Sequence, residues 1–151
     1  MLTDGVIRPS SSEWASPVVL APKSDGALRF CVDYRKGNNL SIRDSYPIPR
    51  MDGCLDSFGE AVIFTTLDAN CGFWQIPVRA QDIPKTAFIT HGGLFEFKRM
   101  PFGLTKAPAT CQRALDIALA RYKWKTCIVY IDDVVIFSKD CLLYTSDAAD
   151  D

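Results

Sequence analysis

Two apolar runs, TCIVYI (126–131) and VVIFSK (134–139), are joined by nothing but Asp132 and Asp133. Runs so rich in β-branched and aromatic residues read as strands. Two strands with a two-residue join must turn straight back on each other, so the chain is committed to an antiparallel hairpin. The usual residues for that turn are Asn-Gly or Asp-Gly, because positive φ is needed there. Two aspartates instead set like charges side by side, a repulsion that either a cation or an exposed, hydrated hairpin tip relieves.

The rest of the sequence surrounds this hairpin with short elements. With 151 residues, 48% of them hydrophobic, the chain has enough apolar material for one packed domain. Proline and glycine punctuate it as far as Pro108 and then stop, so strands and turns give way to longer elements. ASPVVLAP (15–22) and LRFCVDYR (28–35) read as strands about the SDGA turn (24–27). The segment from Gly37 to Arg50, containing YPIPR, reads as an extended connector, because a residue before proline avoids helix. MDGCLDSF (51–58) has room for two helical turns. AVIFTTL (61–67) reads as a buried strand ending at Asp68. QIPV, KTAFIT and LFEFKRM follow as successive strands, the last two separated by His91-Gly92-Gly93. A helix is expected next, capped by Thr105, with Pro108 in its first turn. Pro108, Cys111, Leu115, Ala118 or Leu119, and Tyr122 form its apolar stripe. The expected class is α+β, with helices packed on one face of an antiparallel sheet. CLLYTSDAADD (141–151) continues neither pattern and reads as a disordered or foreign end, leaving residues 1–140 as the domain.

Several function classes drop out. Seventeen basic against eighteen acidic residues give a net charge of −1, so any nucleic-acid contact must rest on local charge. The N-terminus lacks a basic segment followed by an apolar run, and no stretch approaches the ~18 apolar residues of a membrane span. The chain therefore reads as soluble and intracellular. Six cysteines, no two closer than 14 residues, and a single histidine, His91, argue against zinc and against a disulfide framework.

Asp68 ends an apolar run 64 residues before Asp132. A strand-terminal Asp often only caps a turn. If the two strand ends converge, however, three carboxylates would form a hard oxygen site suited to Mg²⁺, and two such ions about 3.5–4 Å apart serve in-line phosphoryl transfer. An acidic metal-binding module without a nucleic-acid role fits the same three residues.

YIDD (130–133) between apolar strands resembles the catalytic motif of reverse transcriptases. The likeness extends through GVIRPS, WASPVVL, RFCVDYRKGN, YPIPR, TTLDANCGFWQI, KTAFIT, FEFKRMPFGLTKAPAT and YIDDVVIFS, in the order typical of Ty3/Gypsy-type long-terminal-repeat retrotransposons. It covers about residues 5 to 140. It implies the fingers and palm of a right-hand polymerase, without matching blocks for the thumb or ribonuclease H parts. It further implies an RNA-directed DNA polymerase in a cytoplasmic, virus-like-particle setting, acting on a primed RNA or DNA template with deoxynucleotides and two Mg²⁺ ions (Mn²⁺ as a substitute).

By that resemblance Asp68, Asp132 and Asp133 are the catalytic, metal-binding carboxylates, with Asp133 the more peripheral. Phe73 matches the aromatic gate against a 2′-hydroxyl, although its ring also suits a core. Arg29 matches the arginine that holds the triphosphate, for which a planar guanidinium is well shaped. Lys23 is its companion cation, within a lysine run shortened to APKSDG. Phe102 and Gly103 match the turn beneath the nucleotide pocket, and Gln75 and Arg99 are candidates for the template path. Gly37 stands where the family has Leu. The loss of a core side chain there would point to a catalytically inactive retroelement remnant.

Overall fold

The computed structural model describes residues 1–22 and 26–140. Lys23, the first half of the SDGA turn and the 141–151 tail lie outside these. The chain divides into two compact units, residues 1–44 with 73–107 and residues 45–72 with 108–151.

In the first unit five strands form one sheet: β1 (Ile7–Pro9), β2 (Ser16–Pro22), β3 (Leu28–Val32), β4 (Phe88–Thr90) and β5 (Gly93–Phe97). Their spatial order is β1-β5-β4-β2-β3. All neighbours are antiparallel except β2 and β4, which run parallel through Ser16–Phe88 and Pro17–Ile89. The α+β class holds, but this sheet is mixed where an antiparallel one was expected. Long connections separate β2 from β4 in sequence, which is what a parallel pair requires. The core gathers Val6, Ile7, Val32, Tyr34, Phe88 and Phe97. Phe88 is its centre, with the rings of Phe97, Phe30 and Phe95 at 5.1, 5.5 and 6.0 Å. Edge-on and tilted pairs of this kind add to simple burial. Polar groups drawn into this core are matched: the Tyr34 hydroxyl donates to the Thr86 carbonyl at 2.8 Å, and Thr86 Oγ1 accepts from Phe97 N–H at 2.8 Å.

Three segments of this unit depart from expectation. QIPV is no strand: Gly72–Gln75 forms a 3₁₀ turn and Pro77 makes a single bridge to Arg99, since proline has no N–H to offer a ladder. The first two residues of KTAFIT belong to a second 3₁₀ segment, Ala80–Thr86, with Pro84 inside it. The Gly37–Arg50 connector begins as a helix, α1 (Arg35–Leu40). The restriction before proline acts only on Tyr46 and Ile48 and leaves the RKGNNL segment free to coil.

In the second unit β6 (Ile63–Asp68), β7 (Cys127–Tyr130) and β8 (Asp133–Ser138) form an antiparallel sheet with β8 in the middle. β6 was expected to be buried. It is an edge strand, with Phe64 and Leu67 about half exposed. α2 (Met51–Phe58) lays Cys54 and Phe58 on Ile128 and Phe137, and the Phe58 ring meets those of Phe64 and Phe137 at 5.1 and 5.2 Å. α3 (Ala107–Ala118) carries Pro108 in its first turn as expected. It starts two residues beyond Thr105, whose backbone N–H instead bonds the Asn38 side chain at 3.0 Å.

Candidate functional site

Strand register brings the backbones of the three aspartates to one end of the sheet. β6 pairs with β8 over six positions, and the last pair sets Asp68 directly opposite Asp133. Directly opposed residues share a face, with Cα atoms roughly 4.5–5.5 Å apart. The hairpin register pairs Tyr130 with Asp133, so the two-residue loop is Ile131–Asp132 rather than Asp132–Asp133. Asp132 is tied to the β6 end as well, its carbonyl accepting from Ala69 N–H at 3.2 Å. Asp68 and Asp133 are exposed and Asp132 is half-buried. Among the described residues no three His, Cys, Asp or Glu side chains stand grouped as a metal cage. The backbone thus converges at one end of the sheet, while the carboxylate groups would have to turn toward a shared ion. The donor chemistry fits: three hard carboxylates, with no competing soft ligand among them.

The turn itself is unusual. Ile131 has φ of +61° and Asp132 is not in the positive region, the pattern of a type II′ turn, whose first central residue is normally glycine. A β-branched residue there is strained, at a cost of about 1–3 kcal/mol. Gly72 lies close beside: a Cβ built on it would sit 3.4 Å from the Asp132 Cβ and 3.2 Å from that of Ala69.

Three of the expected nucleotide contacts cluster in the other unit. Phe73 is buried, its ring centroid 4.8 Å from that of Phe102. Phe102 is half exposed. Gly103 has φ of +91°, and a Cβ there would lie 3.3 Å from the Val32 carbonyl oxygen. Both facts require glycine. Arg29 is exposed on β3, opposite Ala21. Lys23 lies outside the described residues. Arg99 donates to the Gln75 carbonyl at 3.2 Å.

Residues 21–142 match the family model described as "Reverse transcriptase (RNA-dependent DNA polymerase)". The chain belongs to the reverse transcriptase family. It is 47% identical over 145 residues to the retrovirus-related Pol polyprotein from transposon opus of Drosophila melanogaster, and 44% identical over 146 residues to that from transposon gypsy of the same organism. Each alignment spans 93% of this chain but 14% of the relative's length. The foamy viral protease–reverse transcriptase solved in complex with double-stranded DNA superposes with a TM-score of 0.88 at 25% identity, over 96% of this chain and 25% of that one. Within this reverse transcriptase fold no helix among the described residues is long and apolar enough to cross a membrane.

Sequence reasoning passed over Gln112 and Asp116. Gln112 is fully buried and touches the Ile131 turn by hydrogen bond. Their signal was legible: positions 112 and 116 fall four apart beside the apolar stripe of Cys111 and Leu115, where a polar residue needs a reason.

Proposed function

We propose that this chain supplies the catalytic carboxylates and part of the nucleotide-binding surface of an RNA-directed DNA polymerase of a Ty3/Gypsy-type retrotransposon. The observation that carries this reading is the register pairing of Asp68 with Asp133, with Asp132 in the adjoining turn. In the reaction a primer 3′-oxygen attacks the α-phosphate of a deoxynucleotide. The bond to the bridging oxygen breaks, pyrophosphate leaves, and the hydroxyl proton passes to solvent. Divalent ions held by Asp68 and Asp132, with Asp133 beside them, would acidify that hydroxyl and neutralise the departing pyrophosphate.

The remaining roles belong to the chain's own side chains. Phe73, backed by Phe102, is a rigid wall against which a ribose 2′-hydroxyl would collide. Arg29, exposed and always charged, suits the triphosphate. Gly103 lets the backbone pass beneath Phe102 without a side chain in the way. Template and primer are the partners this function requires, and the double-stranded DNA held by the foamy viral enzyme supports them. The setting that follows is cytoplasmic. The Gly37 departure lends no support to an inactive remnant. Gly37 lies within α1, and a Cβ there would meet nothing within 4 Å, so its small size leaves no hole in a core.

The test is Asp132→Asn in a complete polymerase carrying this segment, assayed on a primed RNA template with Mg²⁺ and deoxynucleotides. Extension should fall by roughly a thousandfold, the scale seen when preorganised charge is removed from a reacting centre. Retention of most of the activity would refute the assignment.

A further inference from the structure

We infer that Gln112 is a positioning residue for the Asp132 turn, its amide held in one orientation by Asp116; this rests on the reading of Asp132 as a metal-binding carboxylate. Gln112 has no exposed surface, so its amide must find partners within the protein. Nε2 donates to Asp116 Oδ1 at 2.9 Å and to the Val129 carbonyl at 3.0 Å. Oε1 accepts from Ile131 N–H at 2.7 Å. Both groups facing the NH₂ end can only accept, and the one facing the oxygen can only donate. A flipped amide would oppose oxygen to two oxygens and NH₂ to an N–H, so the chemistry of the partners dictates which end points where.

Asp116 is itself firmly placed. Lys123 Nζ lies 2.6 Å from its Oδ2, and the Tyr46 hydroxyl donates to the same oxygen at 2.8 Å. The Arg113 guanidinium rests 4.6 Å above the Tyr46 ring. A chain of contacts therefore runs from the connector and α3 into the hairpin. It ends on the N–H of Ile131, the residue whose positive φ is hardest to hold. Asp132 follows directly. Without the brace, a half-buried N–H loses its partner and the strained turn loses what opposes its relaxation. The Asp132 backbone would then slip from its hydrogen bond to Ala69 N–H at the end of β6, and its carboxylate would move with it.

The experiment uses the 151-residue chain. Hydrogen exchange is read by NMR at Ile131, with Ile128 and Val135 as references, and Mn²⁺ binding is titrated in parallel. In Gln112→Met the Ile131 amide should exchange about tenfold faster, the worth of one hydrogen bond. Mn²⁺ affinity should fall several-fold while the reference amides keep their protection. Should that variant not fold, Asp116→Asn decides, because a side-chain amide at this position offers an NH₂ as readily as an oxygen and no longer dictates the Gln112 orientation; the same two changes are expected at smaller size. An unchanged Ile131 amide, a uniform loss of protection along β7 and β8, or, where Asp132→Asn itself weakens Mn²⁺ binding, a loosened Ile131 with unaltered Mn²⁺ affinity would each overturn the inference. Asp132→Asn separates the underlying assignment. If it binds Mn²⁺ as the unaltered chain does, the metal reading fails, and the brace is then judged on Ile131 exchange alone.

Discussion

Gly103 and Phe73 show how single positions carry the candidate nucleotide surface. At Gly103 both the positive φ and the 3.3 Å approach to the Val32 carbonyl oppose a side chain. Gly103→Ala should therefore cost about 1–3 kcal/mol, read as a lowered denaturant midpoint with unchanged slope. Phe73 is buried against Phe102, so a smaller residue both opens space and weakens packing. In a complete polymerase carrying this segment, Phe73→Val should narrow the kcat/KM gap between deoxy- and ribonucleotides by tenfold or more, the scale on which a missing or added group is discriminated. An unaltered ratio would make Phe73 a core residue only. Arg29, Phe73, Phe102 and Gly103 were all legible as candidates through resemblance. Gln112 left only the faint trace of a polar residue beside the apolar stripe of its helix, and what it braces is set by the fold, nineteen residues further along the chain.

Among the elements, the β1–β5 pair holds an acid-sensitive contact. Glu96 on β5 is buried, with Arg8 Nε 2.7 Å away and the Ser10 hydroxyl donating at 2.6 Å. Burial pushes its carboxyl up, but the hydrogen bonds from Ser10 and Arg8 outweigh this and hold it below its ordinary value of 4.5. A carboxylate with a depressed folded value stabilises the protein fully above its unfolded value, and loses that contribution as pH falls through the folded one. Glu96→Gln should thus destabilise the chain by about 1–3 kcal/mol at pH 7. The gap from the unaltered chain should close below about pH 4.5; denaturation midpoints between pH 3 and 8 would show it. The other sheet is built around β8. Its exposed edge is β6, where Phe64 and Leu67 face solvent. Edges of that kind invite pairing between chains.

At the scale of the whole molecule, the 151 residues span 14% of their retrotransposon relatives. Positioning of a primer terminus accounts for much of any phosphoryl-transfer rate, and a net charge of −1 offers little general hold on a polyanion. Incubated alone with a primed RNA template, Mg²⁺ and deoxynucleotides, this chain is expected to give no measurable extension. The same segment within a complete polymerase should give products that vanish with Asp132→Asn. Robust extension by the chain itself would mean that its own two units suffice to hold the substrate.

Local composition determined much of this protein by itself. The β-branched runs on either side of the aspartates became β7 and β8, the two-turn α2 formed where MDGCLDSF allowed it, and Asp68 ended its strand. These outcomes depend on neighbours a few residues away, which is the range over which period and turn chemistry act. Tertiary structure decided what no short window contains. It chose which two residues form the hairpin loop, because the pairing of Tyr130 with Asp133 moved Ile131 into the turn. It made β2 and β4 parallel across some 70 residues of chain. And it placed the buried Gln112 amide against Ile131, nineteen residues away in sequence, because a buried polar group must be satisfied by whatever the fold brings near it.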